Sequence, residues 1–264
     1  MNKIKFAKMV ASGNDFVLIN EPEARGMNFA ALARNLCDRK FGAGADGLLL
    51  IGRSRMAGVR MRIFNTDGSE AEMCGNGARC AAYFAKSCLS GGIETKAGII
   101  GAKVSGDTVR IRLTDPKDIK TSIPIQVGRR IMKVNFLNTG VPHVVVFVQG
   151  LDKIDVVALG RFIRYHRKFS PAGTNVNFIE VLGPDAISIR TYERGVEDET
   201  LACGTGSTAS AIIFALKGAN GNRIKLKTRG GEALKVYFEK KGDKFTNVWL
   251  EGKVRLVYQG VYHV

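Results

Sequence analysis

Cys74 and Cys203 stand in matching contexts. Cys74 precedes Gly75-Asn76-Gly77-Ala78-Arg79, and Cys203 precedes Gly204-Thr205-Gly206-Ser207-Thr208. They lie 129 positions apart, close to half of the 264 residues. The small residues after each cysteine read as a helix, so each thiol enters a helix at its N-terminus. There it meets unpaired backbone N–H groups and the positive end of the helix dipole. Both favour thiolate over thiol. The adjacent glycines let the backbone donate to an anion at close range. Each half of the chain thus offers an acid/base group beside a cradle for a carboxylate.

Two equivalent acid/base groups suit one reaction in particular, inversion of a carbon stereocentre. One thiolate removes the α-proton while the opposing thiol delivers a proton to the other face. The α-proton of an amino acid is very weakly acidic, so charge developing on the carboxylate needs stabilising. Helix-terminal N–H groups supply that in a dry site. No lysine stands in a recognisable context for pyridoxal phosphate, so the chemistry reads as cofactor-free. Other readings fit less well. Zinc asks for closely spaced cysteines with further Cys or His, which His143, His166 and His263 do not supply, so no metal is expected. A Cys–His nucleophile built on His143 leaves the second cysteine unused. Neither the Cys-x-x-Cys of a redox dithiol nor the Gly-Lys-Ser/Thr of a P-loop is found here. The plain alternative is two small buried residues at helix starts. The matched contexts weigh against it.

The elements that must position these cysteines also occur twice. Residues 3–20 read as strand, turn and strand, broken at Ser12-Gly13-Asn14-Asp15. Residues 28–38 read as a helix capped by Asn28. The loop Gly42-Ala43-Gly44-Ala45-Asp46-Gly47 leads to strands at 48–51 and 59–64, and the second delivers the chain to the turn Asn65-Thr66-Asp67-Gly68. The helix from Cys74 is apolar nearly all round, which predicts enclosure by other structure, and Gly91-Gly92 stops the run. Strands follow at 98–104 and 109–113. Residues 115–128, with Pro116 and Pro124, read as a crossover. The second half then repeats the order. It has strands at 134–137 and 144–148, a basic helix at about 156–168, a loop Ala172-Gly173-Thr174-Asn175, and strands at 176–181 and 186–192. Glu193-Arg194-Gly195, a helix from Cys203 to Leu216 and a closing hairpin complete it. Gly44 and Gly173 share the offset of 129, and Arg62 and Arg190 fall within one residue of it. This is a duplicated α/β arrangement, each half a sheet around one helix, and not a solenoid.

Composition sets outer bounds. With 45% hydrophobic and 24% charged residues the chain can bury a real core. Thirty-one glycines against six prolines point to tight turns and close backbone approaches rather than low complexity. The formal charge of +16 raises a polyanion partner. The basic residues are dispersed, however, and no zinc-finger or RNP-like pattern accompanies them, so no nucleic-acid partner is expected. No apolar run approaches the roughly 18–20 residues that span a bilayer, and the N-terminus lacks a signal-like apolar region. Five cysteines argue against a disulfide framework. A cytoplasmic location and no membrane partner are expected.

The chain resembles the diaminopimelate epimerase family. The resemblance is carried by Lys8-Met9 with Gly13-Asn14-Asp15-Phe16, and by Gly42 to Gly47. It continues in Phe64-Asn65-Thr66-Asp67-Gly68-Ser69 through Cys74-Gly75-Asn76-Gly77-Ala78-Arg79-Cys80, and in Gly140-Val141-Pro142-His143 and residues 175–178. It closes with Glu193-Arg194-Gly195 through Cys203-Gly204-Thr205-Gly206. These segments span most of the chain in order, and the two cysteine motifs together are the specific part. The resemblance implies an α+β fold of two pseudo-symmetric domains, each a barrel-like, mostly antiparallel sheet wrapped around a central helix. The expected domains are residues 1–117 and 118–251, with a C-terminal strand near 252–264 returning to the first.

It also implies that Cys74 and Cys203 are the acid/base pair, interconverting LL- and meso-diaminopimelate in lysine and peptidoglycan precursor biosynthesis. Asn14, Asn65, Asn175 and Arg194 would hold the distal end of this small substrate. Gly75-Asn76 and Gly204-Thr205 would cradle the reacting carboxylate, Glu193 would contact the reacting amino group, and His143 would support the site. The family pattern allows a homodimer. Three departures stand out. Val10-Ala11-Ser12 replaces a usual histidine and glycine after Lys-Met. Val141 replaces an asparagine before Pro142-His143, which removes one expected amide contact to substrate. Gly47 stands where some members place a glutamine. A racemase of the same architecture acting on a smaller amino acid is the nearest alternative, and a phenazine-type isomerase, which does not rely on two such cysteines, is more remote.

Overall fold

The computed structural model describes residues 3–219 and 221–264. These form two compact units. The first comprises the chain up to Ile111 together with Gly252–Val264, and the second is Arg112–Glu251.

The first unit opens with β1 (Lys3–Ala11) and β2 (Asn14–Asn20), an antiparallel pair. Ser12 and Gly13 turn the chain between them, both at positive φ. β3 (Gly47–Gly52) lies parallel to β2, and β4 (Val59–Asn65) antiparallel to β3. The two-residue β5 (Glu70–Ala71) pairs with β4, as does β6 (Ile93–Thr95), and β7 (Gly98–Ile100) follows β6. β8 (Ala102–Ser105) and β9 (Thr108–Arg112) form a hairpin. Beyond β1 lies β19 (Arg255–His263), drawn from the far end of the chain, with Lys3 opposite His263.

Sequence explains how this sheet is covered. β3 is Gly-Leu-Leu-Leu-Ile-Gly and is buried throughout. An unbroken apolar strand needs both faces covered. Leu48 and Leu50 pack with Leu32, Ala33 and Leu36 of α1 (Phe29–Cys37). Leu49, one residue out of phase, meets the other face, 3.3 Å from where a Cβ on Gly77 would sit. Gly77 belongs to α2 (Gly75–Phe84), in which every residue from Asn76 to Ala82 is buried. Small side chains let the sheet close on this helix. α1 begins where Asn28 Oδ1 accepts from the Ala31 N–H at 3.0 Å, an ordinary N-cap.

The second unit follows the same plan. β11 (Arg130–Asn138) and β12 (Pro142–Phe147) are antiparallel, and β13 (Asn175–Gly183) is parallel to β12 as β3 is to β2. β14 (Ala186–Glu193) returns antiparallel to β13 and takes the short β15 (Asp198–Thr200). β16 (Arg223–Lys227) runs parallel to β14, and β17 (Ala233–Lys241) with β18 (Lys244–Lys253) forms the closing hairpin. Val176, Phe178 and Tyr192 pack with Val156 and Ile163 of α3 (Val156–Arg164). α4 (Gly204–Leu216) is buried from Gly206 to Ala215. Each unit is therefore a sheet between an amphipathic helix and an enclosed one, an α+β architecture.

One segment differs from the reading of the sequence. Residues 115–128 are not a crossover loop; they contain β10 (Lys117–Val127), which pairs with β11. The register slips on either side of Lys120, and Asp118 and Ser122 take positive φ. An irregular strand of this kind tolerates Pro124, which has no N–H to give a ladder. The strand read at 98–104 is likewise interrupted, at Gly101, into β7 and β8.

Gly206 has no room for a side chain, because a Cβ there would collide with Asn177 Oδ1. Gly77 is less constrained, since its nearest neighbours are flexible Leu49 and Ile63 termini at 3.3 and 3.5 Å. Gly206→Ala should destabilise the protein by about 1–3 kcal/mol. Gly77→Ala should be near neutral, since a helical gain of up to about 1 kcal/mol offsets a small shift of Leu49. Urea unfolding of both variants checks this. Equal losses would show that the floor beneath the two helices does not differ in rigidity.

Candidate active site

Cys74 and Cys203 are the N-cap residues of α2 and α4, each with extended backbone at φ −137° and −118°. Gly75 and Gly204 are the first helical residues. Cysteine occupies a position usually held by Ser, Thr, Asp or Asn, and only the Cys203 side chain makes the cap bond, since Cys74 makes no side-chain cap bond to its helix. Cys203 Sγ accepts from the Gly206 N–H at 3.4 Å and lies 3.5 Å from Thr205 Oγ1. The Thr205 carbonyl accepts from Thr139 Oγ1 at 3.2 Å, which ties the start of α4 to the end of β11.

Both cysteines are delivered in the same way. A short strand precedes each, and a two-pronged ion pair clamps that strand to its neighbour. Arg62 on β4 meets Glu70 on β5 through Nε at 2.8 Å and Nη2 at 3.1 Å. Arg190 on β14 meets Glu199 on β15 through the same two nitrogens, both at 2.7 Å. The planar fork matches the carboxylate and fixes its orientation as well as its distance. Arg62 lies 5.0 Å from the Phe29 and Phe64 rings, and Arg190 also donates to the Leu151 and Ile154 carbonyls. The repeat offset marks the two arginines in the sequence, but no motif marks their partners. Glu70 and Glu199 are themselves 129 positions apart, and that was the signal available.

In the first unit the structure brings Asn14 and Asn76 into direct contact. Asn76 Nδ2 donates to Asn14 Oδ1 at 2.7 Å, and Asn14 Nδ2 donates to Asp46 Oδ2 at 2.9 Å. Buried Arg79 donates to Asn76 Oδ1 at 2.7 Å and to Ser12 Oγ at 2.6 Å. The orientation of both amides is thus set by a chain running from Arg79 to Asp46. Asp15 lies beside it, paired with Lys8 at 2.7 Å and Arg39 at 2.8 Å. Burial opposes the Asp15 charge, but hydrogen bonds and charge from Arg39 and Lys8 prevail and hold its carboxyl at about 2. Asn65 stands apart from this chain at the end of β4, where its Nδ2 donates to Ser69 Oγ at 2.9 Å. Gly47 lies opposite Asn65, and a Cβ there would come within 3.0 Å of the Phe64 carbonyl. The strand pairing itself therefore disfavours a longer residue at position 47.

In the second unit His143 and Asn175 are register partners on β12 and β13. Asn175 Oδ1 accepts from the Arg194 N–H at 2.9 Å, and its Nδ2 donates to the Pro142 carbonyl at 3.0 Å. The Arg194 side chain reaches the Ala172 carbonyl at 3.0 Å. Glu193 accepts from Thr200 Oγ1 at 3.0 Å. Burial pushes the Glu193 carboxyl above the usual glutamate range, and the Thr200 bond only partly opposes it. Burial, aided by the Arg194 charge, pushes the His143 imidazole down to about 3, so it is neutral at ordinary pH. Among the described residues no group of three or more His, Cys, Asp or Glu is placed to hold a metal ion. Among the same residues no helix is long and apolar enough to cross a membrane.

The sequence profile described as Diaminopimelate epimerase matches residues 6–118 and 135–257. The chain belongs to the diaminopimelate epimerase family. That membership makes it an isomerase. It is 42% identical to the diaminopimelate epimerase of Aquifex aeolicus over 97% of both chains. To the one from Chlorobaculum tepidum it is 40% identical, over 96% of this chain and 98% of that one. Among solved structures, a phenazine biosynthesis protein of the PhzF family from Bacillus anthracis superposes over the full length of both chains, with a TM-score of 0.74 at 19% identity. A hydroxyproline epimerase from Agrobacterium vitis superposes with a TM-score of 0.70 at 14% identity, over 98% of this chain and 92% of that one. These two likenesses describe the fold.

In this member of the diaminopimelate epimerase family the Asp15 cluster links stability to pH. The Asp15 carboxyl is held below its ordinary value of 3.8, at about 2. Its stabilising contribution is therefore complete above about pH 4 and lost as the pH falls towards 2. Allowing for solvent screening, that contribution is about 1 kcal/mol. The stability difference between wild type and Asp15→Asn should be widest near neutrality and should close between about pH 4 and 2. A gap independent of pH in urea titrations would show that the charge of Asp15 is not what stabilises the cluster.

Proposed function

We propose that this chain is a cofactor-independent epimerase that interconverts LL- and meso-diaminopimelate. Cys74 and Cys203 are its two acid/base groups. The observation that carries the reading is the duplication around the thiols. Each is the N-cap of an enclosed helix, each is followed by glycine, and each is preceded by a strand clamped through an Arg–Glu fork. Nothing in that pattern favours one thiol as nucleophile and the other as spectator, whereas a two-base inversion uses both.

In the proposed reaction one cysteine thiolate takes the α-proton and the other thiol gives a proton to the opposite face. The carbanion passes its charge to the carboxylate, which the first-turn N–H groups after Cys74 and Cys203 stabilise, with Gly75, Asn76, Gly204 and Thr205 forming the cradle. Glu193 contacts the reacting ammonium, and His143 supports the same end. Asn14, Asn65, Asn175 and Arg194 bind the distal amino-acid end, whose configuration is unchanged. The bonding of Asn175 supports this role. Its two backbone bonds leave one N–H and one lone pair for a ligand. Lysine and peptidoglycan precursor synthesis would consume the meso product, and the chain would work in the cytoplasm, with a homodimer compatible with the family.

Solvent-deuterium exchange tests the substrate. Reduced enzyme in D2O should label the α-carbon of LL- and meso-diaminopimelate, and should not label proline or other simple amino acids. Exchange into proline alone would replace this reading with that of a racemase. Cys74→Ser and Cys203→Ser should each lower epimerisation on the order of 100-fold or more. Full turnover by either variant would rule out the two-base scheme.

The pH dependence of kcat/KM tests Glu193. A carboxylate partner for the ammonium must be ionised, and burial raises the pH at which Glu193 ionises. The acid limb of the profile should therefore rise through a pH above the usual glutamate range. Glu193→Gln should lose that limb and lower kcat/KM. An unchanged limb in the variant would assign it to another group.

A further inference from the structure

The floor beneath the two cysteine helices is built from different chemistry. Leu49 and Ile63 face each other across β3 and β4, and Asn177 and Thr191 do so across β13 and β14. Both pairs are related by the 128-residue offset that relates Arg62 to Arg190. Leu49 and Ile63 lie under Gly77, and Asn177 lies under Gly206. The second unit has thus placed a polar pair where the first has hydrocarbon, and His143 is bonded to that pair.

The amide of Asn177 can be oriented in one way only. The Val144 carbonyl is an acceptor with no hydrogen to give, and it lies 2.9 Å from Nδ2. Thr191 Oγ1 donates to Oδ1 at 3.0 Å. Nδ2 carries two hydrogens. One goes to Val144, and the other faces His143 Nδ1 at 3.2 Å. That nitrogen must accept, so it carries no proton. In a neutral imidazole the proton is then on Nε2. His143 Nε2 is buried and has no hydrogen-bond partner among the described residues. A buried N–H without an acceptor is costly to keep in a stable protein unless it serves a bound group.

We propose that Asn177 is a positioning residue that fixes His143 as the neutral Nε2–H tautomer, so that the imidazole offers a hydrogen-bond donor and no base. Proton abstraction is left to the thiols, and His143 donates to an acceptor that the bound ligand supplies. The role of that donor rests on the proposed function; the tautomer does not.

Long-range proton–nitrogen NMR of protein labelled with 15N-histidine reads the tautomer directly. His143→Gln identifies the His143 signals among the three histidines. Wild type should show a pyridine-type Nδ1 and a pyrrole-type Nε2 throughout about pH 6 to 8. A pyrrole-type Nδ1, or an imidazolium in that range, overturns the proposal. Asn177→Asp replaces the amide donor with an acceptor and should move a proton onto Nδ1. A folded variant that keeps the wild-type pattern overturns the part assigned to Asn177. The same variant should lose on the order of tenfold or more in kcat, and full activity despite a changed tautomer overturns the role of the donor. If wild type failed to exchange diaminopimelate, the substrate assignment would fall while the nitrogen shifts still decided the tautomer.

Discussion

Each unit depends on a helix that is enclosed along its length and open at its first turn. A helix cannot satisfy its first four N–H groups internally. Burying that end without partners would be costly, and exposing the whole helix would forfeit its apolar surface. The chain meets both demands with small residues. Alanine, glycine, serine and threonine let the sheet close on α2 and α4, while the first helical residues, Gly75 and Gly204, stay only half-buried. The double covering of β3, the collision at Gly206 and the two Arg–Glu clamps all follow from holding such a helix at a fixed depth. The clamps matter because the strands they hold, β5 and β15, have two and three residues. Strands so short have little ladder of their own to set their register.

Much of this was legible in the sequence because the duplication gives every feature a second reading. A cysteine before a glycine is ambiguous once and informative twice. The strand and helix order around Ser12-Gly13, Asn28 and Gly42 to Gly47 follows from turn chemistry and capping, which are local. β10 was hidden because its proline and its positive-φ residues resemble a loop, and only pairing with β11 makes it a strand. The Arg–Glu forks were hidden for another reason. Arginine and glutamate are common on any surface, so their pairing is visible only once the strands are side by side. Asn177 belongs to no motif of its own beside Asn175. Its own importance comes from the alternation of β13, which turns it towards α4 while Val176 and Phe178 turn towards α3.

The duplication is also imperfect in a useful way. Both units keep the clamp, the cysteine at the N-cap position and the glycine after it, which are the features that place a thiol. They differ in what lies beneath the helix. Hydrocarbon under Gly77 asks nothing of its neighbours, whereas the amide under Gly206 must be fully bonded, and satisfying it draws in Val144, Thr191 and His143. A buried polar network of this kind specifies one arrangement more strictly than apolar packing does.

The pairing of β1 with β19 bears on how the protein is made. Synthesis proceeds from the N-terminus, so β1 emerges well before β19, the strand it pairs with. Until residues 255–263 leave the ribosome, β1 presents an open edge, the kind of surface that invites pairing with another chain. The second unit has all its strands by residue 253. It can therefore finish folding before the unit that was begun first, and the nine residues of β19 close a sheet whose strand β1 has waited for the whole second unit to be made.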